Sequence, residues 1–455
     1  MPAPPTVHVA NETYVGAWLR RCLIVGLACA ATVTAAPPAE AKPIRSPGSF
    51  TGYAFDRCIS PDQHQMNAWR RSSPFAAVGI YISGAGRACP ASVQPSLSPS
   101  WVRRQHDRGW RILPIHVGRQ APCFDSRRQS SAVRASKPTM SSDPRKAHHQ
   151  GVTAAGHSVD KAKYYGLGRG STLYLDIEWY PRTQRRCNAA VLAHIDGWTE
   201  RVHALGYRSG LYSSASAAIQ AVDIARHADR DRYTWPDQLW FAWSNLRADL
   251  EGEPYLSDDF WSSDRRLHQY QLDTTVRYGG TTLDIDRNWL SVGKGSRPKA
   301  QTGTCGRRQS FGSYPRLRPG ADGSRVAAAR CLLRRFGYTN REVGERYNRP
   351  MARAMRRMQA DRGLPVNGVL TTRSWMALLA RGHTSLVKVG SDQQAVWRLQ
   401  RTLRAADRPA PLTGRYGPKT AAAVRAYERG IGQPTNGVVD RRLWRSLLHG
   451  RTGRR

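Results

Sequence analysis

The C-terminal third of the chain repeats itself, and an internal repeat restricts the possible folds more than any composition does. Leu317, Gly320, Val326 and Leu333 recur seventy positions later as Val387, Gly390, Val396 and Leu403. The second half of the unit recurs at sixty-nine: Tyr347, Ala354, Asn367, Gly368, Val369, Trp375, Leu378 and Leu379 reappear as Tyr416, Ala423, Asn436, Gly437, Val438, Trp444, Leu447 and Leu448. Each copy holds three amphipathic stretches, 324–336, 350–361 and 372–380 in the first, and Asn-Gly marks the turn before the third. The expectation is two small all-α three-helix modules, over 315–382 and 383–450.

Upstream, eight short apolar runs alternate with amphipathic stretches: SFTGYAFD, AAVGIYIS, RILPIHVG, TLYLDIEWY, YRSGLYSS, DQLWFAWS, RLHQYQLD and TTLDIDRN. That alternation predicts strand–helix units feeding a parallel sheet. The clearest helix runs over 188–205, with Asn188 as N-cap and Gly206 past its end, and another starts at Ser98 with Pro99 in its first turn. After the sixth and seventh runs the connections are too short or irregular for full helices. The fold class is α/β, an irregular TIM-type β/α barrel over 49–292. A Gly-, Arg-, Ser- and Pro-rich linker follows at 293–314.

Hydrophobic residues make up 40% of the 455 and aromatics 9%, enough to bury real cores and exclude wholesale disorder. The net charge of +37 predicts attraction to a polyanion. Compartment decides which one. Arg20 and Arg21 precede the apolar run 22–36 and a small-residue stretch, so 1–41 reads as a signal peptide cut after Ala41 or Ala35. The arginine pair fits a twin-arginine export signal or an ordinary secretory leader. Both place the mature protein outside the cytoplasm, secreted or at the wall, with no transmembrane anchor. Six cysteines remain, without a CxxC pair, which favours disulfides over zinc. Of fifteen possible pairings, proximity in sequence selects Cys58–Cys89, Cys123–Cys187 and Cys305–Cys331. Basic residues are scattered through every region instead of forming one stripe, so nucleic acid is not the expected partner.

Side chains on a strand alternate sides. In TLYLDIEWY, Leu173, Leu175, Ile177 and Trp179 share one side, while Tyr174, Asp176, Glu178 and Tyr180 share the other, which faces into a barrel. Asp284, Asp286 and Asn288 repeat the design in the last run, and Asp56 ends the first. Crowded carboxylates repel, so one should keep its proton to higher pH, as glycosidic cleavage requires. The expected roles are Glu178 as acid, Asp176 raising its pKa, and Asp286 and Asp56 stabilising the sugar cation or orienting water. His148, His149 and His157 lack a clean ligand spacing and a completing carboxylate, so no metal and no cofactor are expected. No nucleophile elbow or phosphate loop is present.

FD in the first run, LDIE in the fourth, Trp243 after the sixth, HQYQ in the seventh and DIDRN in the eighth together resemble the family 25 glycoside hydrolases, the lysozymes that cut peptidoglycan glycan strands. GYAFDRC, AVGIYISG, WVRRQHDRGWRILPIHVGRQAPC and YLDIEWY are closer still to the glycoside-hydrolase-like domain of secreted proteins from high-GC Gram-positive bacteria. By that resemblance Asp56, Asp176, Glu178 and Asp286 fall on the lysozymes' acid positions, and Trp243, Tyr270 and Asp284 on the substrate groove. Cys58 so close to Asp56, and an Arg- and Ser-rich insertion over 125–142, depart from the lysozyme pattern. RYGPKTAAAVRAYERGIGQPTNGVVDRRLWRSLL resembles the peptidoglycan-binding domain of bacterial wall hydrolases, and the first copy lacks its Gly-Pro pair. Tyr347 and Tyr416 are the expected sugar platforms, with Arg346, Arg415 and Lys419 toward wall carboxylates or other anionic wall polymers; Trp375 and Trp444 are expected core. The resemblances imply a secreted glycoside hydrolase of peptidoglycan or another wall polysaccharide. The alternative is a catalytically silent barrel that binds the wall.

Overall fold

The computed structural model describes residues 42–125, 138–262, 264–301 and 307–453. The expected signal peptide, most of the Arg- and Ser-rich insertion, and Cys305 as partner of Cys331 lie outside the described residues. Eight strands close a barrel in chain order: β1 (Phe50–Asp56), β2 (Ala77–Ser83), β3 (Arg111–Val117), β4 (Thr172–Ile177), β5 (Arg208–Ser214), β6 (Gln238–Ala242), β7 (Arg265–Tyr278) and β8 (Thr281–Val292). Helices α1 (Gln63–Ser72), α2 (Pro99–Asp107), α3 (Pro144–Tyr164), α4 (Arg185–Ala204) and α5 (Gln220–Ala228) fill the first five crossovers. Among the described residues between β6 and β7 there is no helix.

The eighth strand departs from an eightfold β/α pattern. It runs antiparallel to both β7 and β1. The cause is local: Gly279 and Gly280 sit at φ of 57° and 87°, and Tyr278 pairs with Thr281. Two consecutive residues at positive φ make the tight hairpin turn whose twist matches the flanking strands. The start of β8, with Asp284 and Asp286, is thereby delivered to the end of the barrel where β1 to β7 finish.

Period-two alternation sorts the strand side chains. Ala54, Ala77, Leu113, Ile115, Tyr174, Trp240, Leu267 and Leu290 pack inside the barrel. Phe55, Val78, Ile112, Leu173, Leu175 and Ile177 pack outward under the helices with Trp69, Trp101, Trp110 and Trp198. Trp69 alone meets Phe55, Phe75 and Tyr278 at centroid distances of 5.1, 5.6 and 5.2 Å, and truncating such a ring costs about 3–5 kcal/mol. Ser98 caps α2 as expected, accepting from the Trp101 amide. The expected cap Asn188 lies inside α4, which begins after Gln184; Asn188 accepts instead from the Tyr180 hydroxyl, because β4 ends at Ile177 and Tyr180 no longer points inward. The Cys58–Cys89 and Cys123–Cys187 disulfides form as expected; the first joins the loops after β1 and β2, the second the loop after β3 to the first turn of α4.

The C-terminal region is helical: α6 (Ser324–Arg335), α7 (Arg349–Asp361) and α8 (Thr372–Ala380), then α9 (Gln394–Ala405), α10 (Pro418–Gly430) and α11 (Arg441–Leu448). The repeat persists down to single hydrogen bonds. Trp375 Nε1 donates to Pro315 O and Trp444 Nε1 to Ser385 O, while Leu317 bridges Leu370 as Val387 bridges Val439.

These helices are not strung loosely behind the barrel. Tyr270 and Trp289 share one apolar cluster with the repeat cores, covering the sector where β6 to β8 lack crossover helices. Lys388 is buried at the N-terminal end of the barrel, where Nζ donates to Arg70 O at 2.9 Å, to Ser73 O at 3.1 Å and to Phe75 O. The segment expected as a free linker is tied down too: Ser296 Oγ donates to Gly390 O and Trp397 Nε1 to Lys299 O.

Candidate active site

At the C-terminal end of the strands the apolar filling gives way to acids. Asp56, the last residue of β1, is 1% exposed and lies in register with Asp286 of β8. Gly79 makes room for it on β2, since a Cβ there would stand 2.5 Å from Asp56 Cβ. Its carboxylate is caged: Asn288 Nδ2 donates at 2.7 Å, Tyr81 Oη at 3.0 Å and Gln269 Nε2 at 3.2 Å. Burial pushes the Asp56 pKa up, and these three donors oppose the shift.

Gln269 holds two carboxylates together. Its Nε2 also donates to Asp286 Oδ2 at 3.2 Å, and its Oε1 accepts from Tyr212 Oη at 2.7 Å, which fixes the orientation of the amide. Asp286 Oδ1 accepts from the Asp273 amide at 2.8 Å. Burial, then the charge of Asp56, followed by Asp273 and Glu178, push the Asp286 carboxyl up to about 8 despite that amide. A proton is therefore kept in the cluster at neutral pH.

Asp176 is buried in β4, and Glu178, just past that strand, is half-exposed. Gln120, in the loop after β3, anchors this strand end by accepting from the Glu178 amide at 2.7 Å and donating to Asp176 O. The four acids converge on one phenol. Tyr212 is pushed far above its ordinary range by burial, then by the charges of Glu178, Asp176, Asp56 and Asp286.

Residues 67–290 match the family of Rv2525c-like, glycoside hydrolase-like domains, and residues 322–378 and 392–447 each match the peptidoglycan binding domain family. The chain carries an Rv2525c-like glycoside hydrolase-like domain and two peptidoglycan-binding domains. Among solved structures, similarity is found to an uncharacterized B. stearothermophilus protein (16% identity, 52% of this chain and 95% of that one, TM-score 0.36). It is found also to the Mycobacterium tuberculosis Tat-secreted protein Rv2525c, solved with L-tartrate (14%, 53% and 95%, TM-score 0.35). A third is a family 25 glycosyl hydrolase from Bacillus anthracis (13%, 53% and 89%, TM-score 0.32). No curated protein matches the chain.

Within the glycoside hydrolase-like domain, the structure brings Asp56, Asp176, Glu178 and Asp286 together as the sequence reading expects. Asp284 stands apart. It lies exposed on the β7–β8 hairpin, bonded by Thr275 Oγ1. Trp243 follows β6, half-buried, with its ring edge-on to Tyr255 at 5.4 Å. Tyr270 is a correction: it is 6% exposed and packs outward with the repeats, because Gln269 takes the inward position on β7. Gln269, Tyr81, Tyr212 and Gln120 escaped the sequence reading, although alternation in AVGIYIS already puts Tyr81 on the side of Ala77.

In the peptidoglycan-binding domains Tyr347 and Tyr416 are also corrections. They are 1% and 0% exposed, and their hydroxyls donate to Gly368 O and Gly437 O at 2.7 Å. Each ring is sealed in its helical core by the Asn-Gly turn and has no face left for a sugar. On α3, His148 does meet carboxylates: its Nε2 lies 3.1 Å from Glu200 Oε2 and 3.7 Å from Asp196 Oδ2, both on α4. They come from another element, where sequence spacing along α3 does not reach.

Proposed function

We propose that this protein is an exported, wall-directed glycoside hydrolase that cleaves the glycan strands of peptidoglycan. The observation that carries the reading is the convergence of four carboxylates at the strand ends, with Asp286 holding a proton to about pH 8. Glycosidic cleavage needs a proton for the leaving oxygen and negative charge beside the developing sugar cation. The proton kept by Asp286 passes by way of Glu178, half-exposed at the strand end, to the glycosidic oxygen as the C–O bond breaks. Asp286, ionised once that proton has left, and buried Asp56 and Asp176 supply the negative charge that stabilises the developing sugar cation. Water then adds to the cation and returns a proton to the cluster. The disulfides support an oxidising compartment, and the two peptidoglycan-binding domains support residence at the wall.

The test is release of reducing sugar from purified walls, with fresh ends identified by mass. The wild-type chain should clear the walls, and Glu178→Gln should lose at least a hundredfold in rate while keeping its melting temperature. If neither protein releases sugar between pH 4 and 8 yet both sediment with the walls, the hydrolase reading fails and the barrel is a silent wall-binding domain.

A further inference from the structure

With Tyr347 and Tyr416 buried, the wall-binding surface of the repeats has to lie elsewhere. A cleft of about 450 Å³ opens between the two repeats. Arg335 and Arg381 line it from the first, Arg398 and Arg401 from the second, and among the described residues no Asp or Glu lines it. Leu332, Leu378 and Leu379 contribute an apolar floor beside Phe336.

Three of these guanidinium groups, those of Arg381, Arg398 and Arg401, are held in place but not satisfied. Arg381 lies over the Phe336 ring at 4.7 Å and Arg398 over Trp444 at 4.3 Å, so stacking fixes both planes and leaves their edges for bonding. Arg401 Nη1 donates to Gln309 Oε1 at 3.2 Å, and Arg398 Nη2 to His383 O. Arg381 Nη1, Arg398 Nε and Arg401 Nε are buried with no hydrogen-bond partner. A buried N–H on a charged group that meets neither water nor an acceptor costs more than a neutral one, and like charges side by side add repulsion. Burial with the neighbouring Arg401 charge pushes Arg398 down to about 10, so it remains a cation at neutral pH. An anion supplied from outside relieves all of these costs at once, and planar guanidinium groups match carboxylate and phosphate oxygens.

We infer that the inter-repeat cleft is the anion-binding site of this protein, taking the carboxylate or phosphodiester groups of an anionic wall glycan on Arg381, Arg398 and Arg401 with a sugar ring against Phe336. The volume exceeds that of a lone inorganic anion, and the apolar floor suits the carbon face of a ring. This deepens the wall-directed reading and rests on it for the source of the ligand. The two can fail separately.

The experiment uses the full chain, with calorimetry against two soluble probes: a glycerol-phosphate oligomer, and a peptidoglycan fragment with free stem-peptide carboxylates. Wild type should bind at least one, and the probe it prefers names the source. Arg381→Gln and Arg401→Gln should each weaken that binding tenfold or more without lowering the melting temperature, since each removes a repelling charge. Variants that bind as tightly as wild type, or a wild type that binds neither probe, overturn the cleft. Sedimentation with intact walls reads the other claim: binding to a probe without sedimentation leaves the cleft standing and removes wall targeting. Sedimentation that both variants retain in full, with no probe bound, does the reverse.

Discussion

At the scale of single residues the site turns on Gln269, whose one amide nitrogen touches both Asp56 and Asp286. It lets two carboxylates share a buried space but cannot cancel both charges, and burial together with the Asp56 charge raises the pKa of Asp286. Because the folded value lies above the ordinary carboxylate range, Asp286 favours the fold fully at low pH and that contribution is lost as pH rises through about 8. Glycan hydrolysis should follow the same proton, falling about tenfold per pH unit above 8. Asp286→Asn should abolish most activity and, in compensation, raise the melting temperature above pH 8 relative to wild type. A pH series of rates and melts on both proteins checks this; a variant equally destabilised at every pH would show that the carboxylate is structural.

At the scale of elements, what could be read in the sequence was whatever is local. Alternation in β4 places Leu173, Leu175 and Ile177 outward and Tyr174 and Asp176 inward, since period two needs no partner strand. The acids at strand ends followed from the same rule. The direction of β8 was not read, although Gly279-Gly280 is a two-residue hairpin signal, and that turn is what sets Asp286 opposite Asp56. Tyr270, placed by resemblance, failed as a sugar contact because a motif does not reveal that the repeats cover that side of the strand, and Tyr347 and Tyr416 failed because an aromatic beside an arginine looks the same in sequence whether an element covers it or not. The repeats allow a sharper test of element-level packing. Gln359 of α7 accepts from the Asn367 and Gly368 amides, and its counterpart in α10 is Glu428, which accepts from the Gly437 amide. Burial pushes the Glu428 carboxyl up to about 7 against the pull of that amide. Its stabilising contribution is thus complete below the ordinary carboxylate range and gone above about pH 7. Glu428→Gln, which copies the first repeat, should melt with wild type at pH 4 and higher than wild type at pH 8, by on the order of 1 kcal/mol or a few degrees. Equal melts at both pH values would mean that the turn does not sense the charge.

At the scale of the whole molecule, one lysine joins the wall-binding half to the barrel. Lys388 leaves the start of the second repeat and ends against three backbone carbonyls at the N-terminal end of the barrel, 5.1 Å from the Trp110 ring centroid. Burial and the Arg70 charge push its pKa down, while three carbonyls matched to three ammonium hydrogens and an aromatic face favour the charged form. The acids lie at the opposite end of the same strands, so docking there leaves their end of the barrel clear while fixing where it points. Lys388→Met removes all three donors at once. Each carbonyl left buried without a partner costs about 1–3 kcal/mol, enough to release the repeat from the barrel while the apolar cores of both remain. Trypsin should then cut the Arg- and Lys-bearing segment over 293–318 at least ten times faster than in wild type, with the barrel and repeat fragments surviving as stable products. Hydrolysis of soluble glycan should be unchanged, because nothing at the acid cluster has moved, and only the rate on insoluble wall, where orientation matters, should fall. A Lys388→Met chain cut no faster than wild type would show that the apolar cluster around Tyr270 and Trp289 holds the halves together without the lysine.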